Sequence, residues 1–310
     1  MAVRNRVKKI LIDVFESFGF EPLETPTLEY ADVLLGKYGD DADKLVYTFE
    51  DRGGRKVGMR YDLTVPLARV AANYSSQLPS PFKRYQIQRV WRADNTQRGR
   101  YREFEQCDID VLNTNSSLAD AEIMAVINVV LSRLNVPEFN ILVNTRPLLY
   151  AIMQESGISE NLLTKTAISL DKLGKKSQEE VSEEIKNLGV PQEKIDSLFR
   201  LTKLLSENFE TGEDLVEKNY LEGANVARAL ASLKTIVENA IRMGVPASVI
   251  KPTFTLARGL DYYTGVIFET IIPEPNFGSV TGGGRYDNLI SKLGGPNWAA
   301  VGTTFGLDRI

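Results

Sequence analysis

The most unusual absence in this sequence is histidine, which does not occur at all among its 310 residues. Histidine is the side chain that most often acts as a general base and most often binds metals in proteins. Cysteine is nearly absent as well, because Cys107 is the only one. A single cysteine excludes an intrachain disulfide and predicts a reducing compartment, the cytoplasm. Together the two absences argue against a metal site built from protein ligands.

Long apolar runs are also missing. No stretch approaches the ~20 residues of a membrane-spanning helix, and the basic N-terminal region lacks the apolar core of a signal peptide. We therefore expect no membrane segment. The net charge of −4, with 43% hydrophobic and 25% charged residues, indicates a globular protein without an overall nucleic-acid signal. Any binding of nucleic acid would need a local basic patch. The length allows two domains, or one large domain with an insertion.

What is present centres on residues 82–112, which predict a strand, a basic loop and a second strand. Side chains alternate between the faces of a strand. One face of the second strand would then carry Arg102, Phe104, Gln106, Asp108 and Asp110, and the other the apolar Cys107, Ile109 and Val111. A hairpin with such a face can bind an anionic, planar, polar ligand. A solvated sheet face with cross-strand Arg–Asp pairs fits the same pattern equally well.

Periodicity elsewhere predicts an α+β fold, in which an antiparallel β-sheet is flanked by helices and interrupted by a helical insertion. Helices are expected over 3–18, 30–37, 65–74, 117–134 (capped by Ser117 and Asp120), 286–293 and from Gly306, and strands over 45–49, 57–61, 139–144, 253–258, 262–272, 279–285 and 299–305. The predicted division is 1–145 and 250–310 for one domain and 146–249 for the Lys/Glu-rich helical insertion.

Three later stretches have unusual compositions. Residues 257–265 place an arginine, an aspartate and two tyrosines close together, residues 282–287 begin with three glycines, and residues 302–309 end in Arg309. Each alone is also compatible with a salt bridge, a flexible turn or a solvated charge. The glycines do not match the dinucleotide or P-loop patterns.

In this order, the stretches resemble the catalytic domain of the histidyl-tRNA synthetases, which are class II aminoacyl-tRNA synthetases. The segment around Pro26 is similar to class II motif 1, residues 89–110 to motif 2, and residues 302–309 to motif 3. Residues 257–265 and 282–287 are similar to the two histidine signatures of that family.

The resemblance implies ATP-dependent activation of histidine to histidyl-adenylate and its transfer to tRNA(His). It implies ATP with Mg²⁺ bound on its phosphates, and a homodimer formed through motif 1. The catalytic residues would be Arg92 and Arg258, which bracket the α-phosphate and the amino acid carboxylate. The implied ATP-binding residues are Arg92, Arg102, Phe104, Arg258 and Arg309, and the implied histidine-binding residues are Asp62, Thr64, Gln106, Asp110, Tyr262 and Tyr263.

Two departures from the family pattern modify these expectations. The usual N-terminal strand is absent and no anticodon-binding domain follows Ile310, so we expect activation to survive and tRNA charging to be impaired. The remaining candidates for tRNA contact are Arg98, Arg100, Lys172, Lys175 and Lys176. The alternative is a non-catalytic paralogue, either an ATP phosphoribosyltransferase regulatory subunit or a kinase sensor domain, that binds histidine or tRNA. Such paralogues tend to lose the arginines of motifs 2 and 3, which this chain retains, and this favours the enzyme.

Overall fold

The computed structural model describes residues 1–36, 44–96, 101–173, 176–209, 224–259, 262–274 and 278–310. Three of the proposed tRNA contacts, Arg98, Arg100 and Lys175, lie outside this part of the chain. The other two, Lys172 and Lys176, both form ion pairs with Glu184.

Helices and strands alternate in the first half, and helices dominate the segment that follows residue 145. The helices are α1 (Ala2–Ser17), α2 (Ala31–Leu34), α3 (Thr64–Tyr74), α4 (Ser117–Arg133), α5 (Arg146–Glu155), α6 (Glu160–Leu170), α7 (Gln178–Asn187), α8 (Gln192–Glu207) and α9 (Ala224–Arg242). The strands are β1 (Glu21–Pro22), β2 (Leu28–Tyr30), β3 (Thr48–Glu50), β4 (Lys56–Met59), β5 (Phe82–Trp91), β6 (Glu103–Leu112), β7 (Asn140–Thr145), β8 (Ile250–Pro252), β9 (Val266–Ile271), β10 (Ser279–Arg285) and β11 (Ala300–Gly306).

An eight-stranded sheet forms the centre of the molecule, with the order β1-β5-β6-β11-β10-β9-β7-β8. Only the two edge strands are parallel to their neighbours. A smaller antiparallel sheet has the order β2-β4-β3. This arrangement of a mainly antiparallel sheet with helices confirms the predicted α+β class, and the central hairpin is β5 and β6.

The two faces of the large sheet differ, as the alternation in β6 predicts. Cys107, Ile109 and Val111 are buried in a core shared with α1 and α4. The opposite face carries the polar side chains, and α3 covers part of it through a second core that includes Leu67 and Ala71. Because one face is fully packed, the register of β6 is fixed and its polar residues must face the other way.

The helical segment from α5 to α9 begins directly where β7 ends. The Thr145 hydroxyl caps α5 by accepting from Leu148 N at 3.2 Å, and Ser177 and Glu180 form a capping box on α7. Apolar side chains such as Leu149 and Leu233 join the same core as α4. The proposed domain limits at 145 and 250 stay a prediction.

Several expected elements near the C-terminus differ in the structure. The strand expected at 253–258 does not form. β8 covers Ile250–Pro252, and after the last bond to β7, from Thr253 N to Val143 O, the chain turns as Leu256 N donates to Thr253 O. Instead of a helix at 286–293 there is a single 3₁₀ turn, Ser291–Leu293. At the predicted start of the last helix, by contrast, Ile310 N donates to Gly306 O at 3.1 Å, which is the hydrogen bond of a first helical turn.

The cap of α4 lies one residue before the predicted Ser117. Ser116 caps the helix, since its hydroxyl accepts from Leu118 N at 3.2 Å. Asp120 does not cap the helix but accepts a hydrogen bond from Arg285 Nε at 3.0 Å. Their ion pair, 2.8 Å between Arg285 Nη2 and Asp120 Oδ1, is buried and ties α4 to the end of β10.

Candidate active site

A cavity of about 580 Å³ opens on the polar face of the large sheet, over β6, β10 and β11. Ten of the eleven predicted site residues line it: Asp62, Thr64, Arg92, Phe104, Gln106, Asp110, Arg258, Tyr262, Tyr263 and Arg309. Arg102 does not line it; this residue is exposed, and its Nε donates to Asp94 O at 3.3 Å. The assignment of Arg102 to ATP stays a prediction.

Arg92 stands at one end of the cavity and is held by backbone and aromatic contacts. Its Nε donates to Tyr61 O at 2.8 Å. Its guanidinium lies 5.1 Å from the centroid of the Phe104 ring, which is a cation–π contact. The side chain is therefore oriented by the protein.

Two further arginines approach the same end from β10 and its neighbours. Arg258 Nη1 donates to Glu269 Oε1 at 2.6 Å and to Ser279 Oγ at 2.8 Å. Arg309 Nη1 donates to Ser279 O at 2.9 Å. The three guanidiniums bring positive charge to the cavity, and Glu269 pairs with one of them.

The opposite end of the cavity is lined by carboxyl groups, of which Asp110 is one of the most buried at 3% exposure. Tyr286 OH donates to its Oδ1. Its Oδ2 lies 2.7 Å from Nη2 of the fully buried Arg84, but away from the hydrogen-bonding direction, so this contact is an ion pair. Burial raises the pKa of Asp110, and the charge of Arg84 together with the Tyr286 hydrogen bond opposes that rise.

Asp108 lies two residues before Asp110 on the same face and is equally buried, at 3% exposure. Thr304 on β11 hydrogen-bonds its carboxyl group, but its Oδ1 has no hydrogen-bond partner. Desolvation raises the pKa of Asp108 to about 7, and the nearby Asp110 and Asp62 add to the rise while Arg84 opposes it. With both aspartates buried, a solvated sheet face is excluded.

Asp62 and Gln106 complete this end. Asp62 Oδ1 accepts from Val65 N at 3.1 Å, in the first turn of α3. Gln106 Nε2 donates weakly to Thr304 Oγ1 at 3.4 Å, while its Oε1 has no hydrogen-bond partner. The carboxylate end thus presents oxygen atoms that can still accept hydrogen bonds from a ligand.

Three tyrosines form an aromatic wall beside the carboxyl groups. The rings of Tyr262 and Tyr263 are 4.2 Å apart, and those of Tyr262 and Tyr286 are 5.6 Å apart. Burial raises the pKa of Tyr263 to about 12, so it remains a neutral phenol. A Cβ at Gly284 would lie 2.8 Å from the Tyr263 ring, which explains one of the three glycines.

Sequence reasoning assigned no role to four residues at the site: Arg84, Asp108, Glu269 and Tyr286. For Arg84 there was a signal, because Arg84, Gln86 and Gln88 alternate in β5 as the polar residues do in β6. The pairing places Arg84 opposite Asp110 and Gln86 opposite Asp108. Two adjacent polar rows could therefore have been recognised as one surface.

The described residues contain no group of three or more His, Cys, Asp and Glu side chains that could hold a metal ion. Within the same ranges, no helix is long and apolar enough to cross a membrane.

Comparisons with known proteins agree on one family. The profile of the family described as Histidyl-tRNA synthetase matches residues 1–310. A histidine–tRNA ligase of Rhodopirellula baltica is 43% identical over 314 residues, covering 100% of this chain and 70% of that protein. The corresponding ligase of Aeropyrum pernix is 41% identical over 315 residues, with the same coverage.

Solved structures give the same result. Histidyl-tRNA synthetase from Nostoc sp. PCC 7120 has a TM-score of 0.88 at 29% identity, covering 99% of this chain and 70% of its own. A Bacillus halodurans structure described as an ATP phosphoribosyltransferase regulatory subunit/histidyl-tRNA synthetase has a TM-score of 0.83 at 23% identity, covering 99% and 78%. The second likeness shows a shared fold alone.

Proposed function

Because the chain belongs to the histidyl-tRNA synthetase family, we propose that it activates histidine with ATP and transfers the histidyl group to tRNA(His). The observation that carries the proposal is the division of charge within one cavity. Arg92, beside Phe104, and Arg309, beside Gly306, lie where β6 begins and β11 ends, whereas Asp108 and Asp110 lie further along β6. Arg258 lies beside Gly282, level with Asp108, and Asp94, Glu105 and Asp308 also line the cavity. Phosphates suit the first end, and the ammonium and imidazole of histidine suit the second.

In the activation step, a carboxylate oxygen of histidine attacks the α-phosphorus of ATP. An O–P bond forms, the bond to the β-phosphate oxygen breaks, and pyrophosphate leaves. No general base is needed, because the attacking carboxylate is already deprotonated. Arg92 and Arg258 would stabilise the negative charge of the transition state, and their hydrogen bonds to Tyr61 O, Glu269 and Ser279 hold them in position.

The adenine base would lie between Phe104 and Arg309, which supply an aromatic face and a guanidinium plane for stacking. Mg²⁺ would arrive on the phosphates of ATP. The arginine-lined end fits this assignment, since its donors bind phosphate oxygens directly and the described residues lack a carboxylate cluster for the ion.

Histidine would occupy the carboxylate end. Asp62, Thr64 and Gln106 would hold its ammonium group, and the free Oε1 of Gln106 supports this. Asp110 and Tyr263 would bind the imidazole, with Tyr262 packed against Tyr263. A ring with one N–H and one lone pair matches a carboxylate and a neutral phenol.

A two-fold dimer through the Pro26 segment is part of the proposal. The small sheet exposes Leu28, Tyr30 and Phe49, at 47%, 53% and 46%. These three residues lie on one face of the sheet, because Tyr30 and Phe49 both pair with Val57. An apolar face of this kind, next to Pro26, suits a second copy of the chain.

Light scattering should give a dimer for the wild-type chain, and Phe49→Glu should shift the equilibrium towards monomer. A wild-type monomer at micromolar concentration would contradict this.

The cytoplasm is the proposed location. The only cysteine, Cys107, is free and buried, and burial raises the pKa of its thiol. A reduced, unreactive thiol fits a reducing compartment.

Histidine-dependent exchange of pyrophosphate into ATP tests the function. The wild-type chain should exchange with histidine and not with glutamine or phenylalanine, and Arg258→Ala should lose about 10²–10³ in rate. The matched control is Arg89→Ala, an exposed arginine on β5 outside the cavity, which should exchange normally. Histidine binding without any exchange would instead identify the non-catalytic paralogue. Charging of tRNA(His) on the same preparation tests the transfer step.

A further inference from the structure

Asp108 is a buried carboxyl group that the proposed mechanism does not use. It lies on β6 between Gln106, assigned to the ammonium, and Asp110, assigned to the imidazole. Successive positions on one strand face are about 6.6 Å apart, so Asp108 faces the middle of a histidine bound along this strand. Its Oδ1 is buried without a hydrogen-bond partner.

An unpaired buried oxygen is costly unless a ligand or a proton satisfies it. The charges around it do not balance either. Three aspartates, Asp62, Asp108 and Asp110, surround the single guanidinium of Arg84. The ammonium of histidine supplies one of the two missing positive charges, and one proton would supply the other.

We propose that Asp108 is a specificity-determining residue, which shares one proton with the imidazole of bound histidine. The inference rests on the proposed function, because it assumes histidine as the ligand. Asp110 would accept from one ring nitrogen, and Asp108 and Tyr263 would both face the other. Either the Asp108 carboxyl group donates to that second nitrogen, or the imidazolium donates from it to the Asp108 carboxylate and the Tyr263 oxygen; in both cases the complex contains the proton. A ligand of similar shape with no nitrogen at that place leaves Asp108 unsatisfied and is rejected.

The surroundings of Asp108 support a proton there. The charged or titratable groups that face it from the neighbouring elements are Arg84, Asp110, Asp62, Tyr263 and Tyr286. Only Arg84 among them is cationic, and it already pairs with Asp110. Burial and the two carboxylates raise the pKa of Asp108 to about 7, so the free site loses its proton near neutral pH.

Linkage gives the sign of the effect. If the complex keeps a proton that free enzyme and free histidine have both lost above pH 7, histidine affinity must fall as the pH rises. If binding takes up one proton, the KM for histidine should rise about tenfold per pH unit between pH 7 and 8.5. The KM for ATP should not follow, because Asp108 has no assigned contact with ATP.

Two measurements test the inference. Calorimetric titration of the wild-type chain with histidine at pH 8, in two buffers of different ionisation enthalpy, should show an uptake approaching one proton. Pyrophosphate exchange by Asp108→Asn should show a KM for histidine that changes less than about twofold over the same pH range, since the amide cannot titrate. The control Asp13→Asn removes an exposed carboxylate on α1, and its KM for histidine should rise with pH as in the wild type.

The outcomes separate the two proposals. The role of Asp108 is overturned, and the function left standing, by exchange activity without proton uptake. The same follows if the histidine KM of Asp108→Asn rises with pH as steeply as that of the wild type. Proton uptake on histidine binding without exchange overturns the function and supports the role of Asp108. The calorimetric arm needs no variant, so an absence of proton uptake refutes the inference even if Asp108→Asn does not fold.

Discussion

Replacing Arg84 with methionine should destabilise the protein strongly. The Arg84 side chain is fully buried and lies 2.7 Å from Asp110. It also donates weakly to Leu63 O and Gln86 Oε1, both at 3.3 Å. Methionine fills similar volume but leaves Asp110 and Asp108 without a cation. Removing one partner of a buried pair costs about 3–5 kcal/mol, and we expect that loss in the free energy of unfolding at pH 8.

The pH dependence of this loss identifies its cause. When Arg84 is removed, the pKa values of the buried Asp108 and Asp110 should rise further above the unfolded value of about 3.9. The folded state then binds more protons than the unfolded state, so the free energy of unfolding falls as the pH rises from about 4 to above 7. Urea denaturation should therefore show a small deficit of the variant near pH 4 and the full deficit at pH 8.

A matched control lies on the same strand. Arg89 and Glu103 are also 2.7 Å apart, but their side chains are 64% and 47% exposed. Arg89→Met should change stability by less than about 1 kcal/mol, since surface pairs contribute little. In the double variant Arg84→Met/Asp110→Asn much of the loss should be recovered. A deficit that is independent of pH, or equal in the two single arginine variants, would refute the electrostatic argument.

Three further predictions concern the cavity. Phe104→Leu should raise the KM for ATP about 5- to 150-fold, which corresponds to about 1–3 kcal/mol, because one stacking surface for adenine is lost. The KM for histidine should not rise, and steady-state exchange kinetics measure both. Glu269→Gln should lower kcat by a larger factor than it changes the KM for ATP or for histidine, since Arg258 loses the charged partner 2.6 Å away that fixes it. An unchanged kcat would contradict this. In Gly302→Ala, the new Cβ would lie 2.0 Å from Asp110 Oδ1, so histidine KM should rise and thermal stability should fall, as differential scanning calorimetry would show.

The sequence predicted most of the sheet because the signals are local. Alternation in β6 identified both faces correctly, and ten of the eleven proposed site residues line one cavity. Family resemblance brought together residues as distant as Asp62 and Arg309, which periodicity alone could not. The role of Arg84 was missed because it depends on register, and register is a property of two strands.

The wrong expectation of a helix at 286–293 has a physical reason. Residues 286–293 have apolar spacing compatible with a helix, but tertiary contacts override it. Asp287 accepts hydrogen bonds from the Thr264 hydroxyl at 2.8 Å and from Ala300 N at 3.2 Å. Leu289 and Ile290 are inserted into the second core. These partners are distant in sequence, so no local pattern announces them.

The pairing of β6 with β11 has a consequence for how the protein can be studied. Gln106 and Thr304 are 198 positions apart in sequence, so these neighbouring strands meet only after a very long loop has closed. The β5–β6 hairpin can form early, but the cavity, which needs both β6 and β11, exists only in the complete fold. A small molecule bound there stabilises the complete fold by RT ln(1 + [L]/Kd), about 2.7 kcal/mol at a hundredfold excess over Kd. Melting temperature can therefore serve as a binding assay for variants that have lost all catalysis.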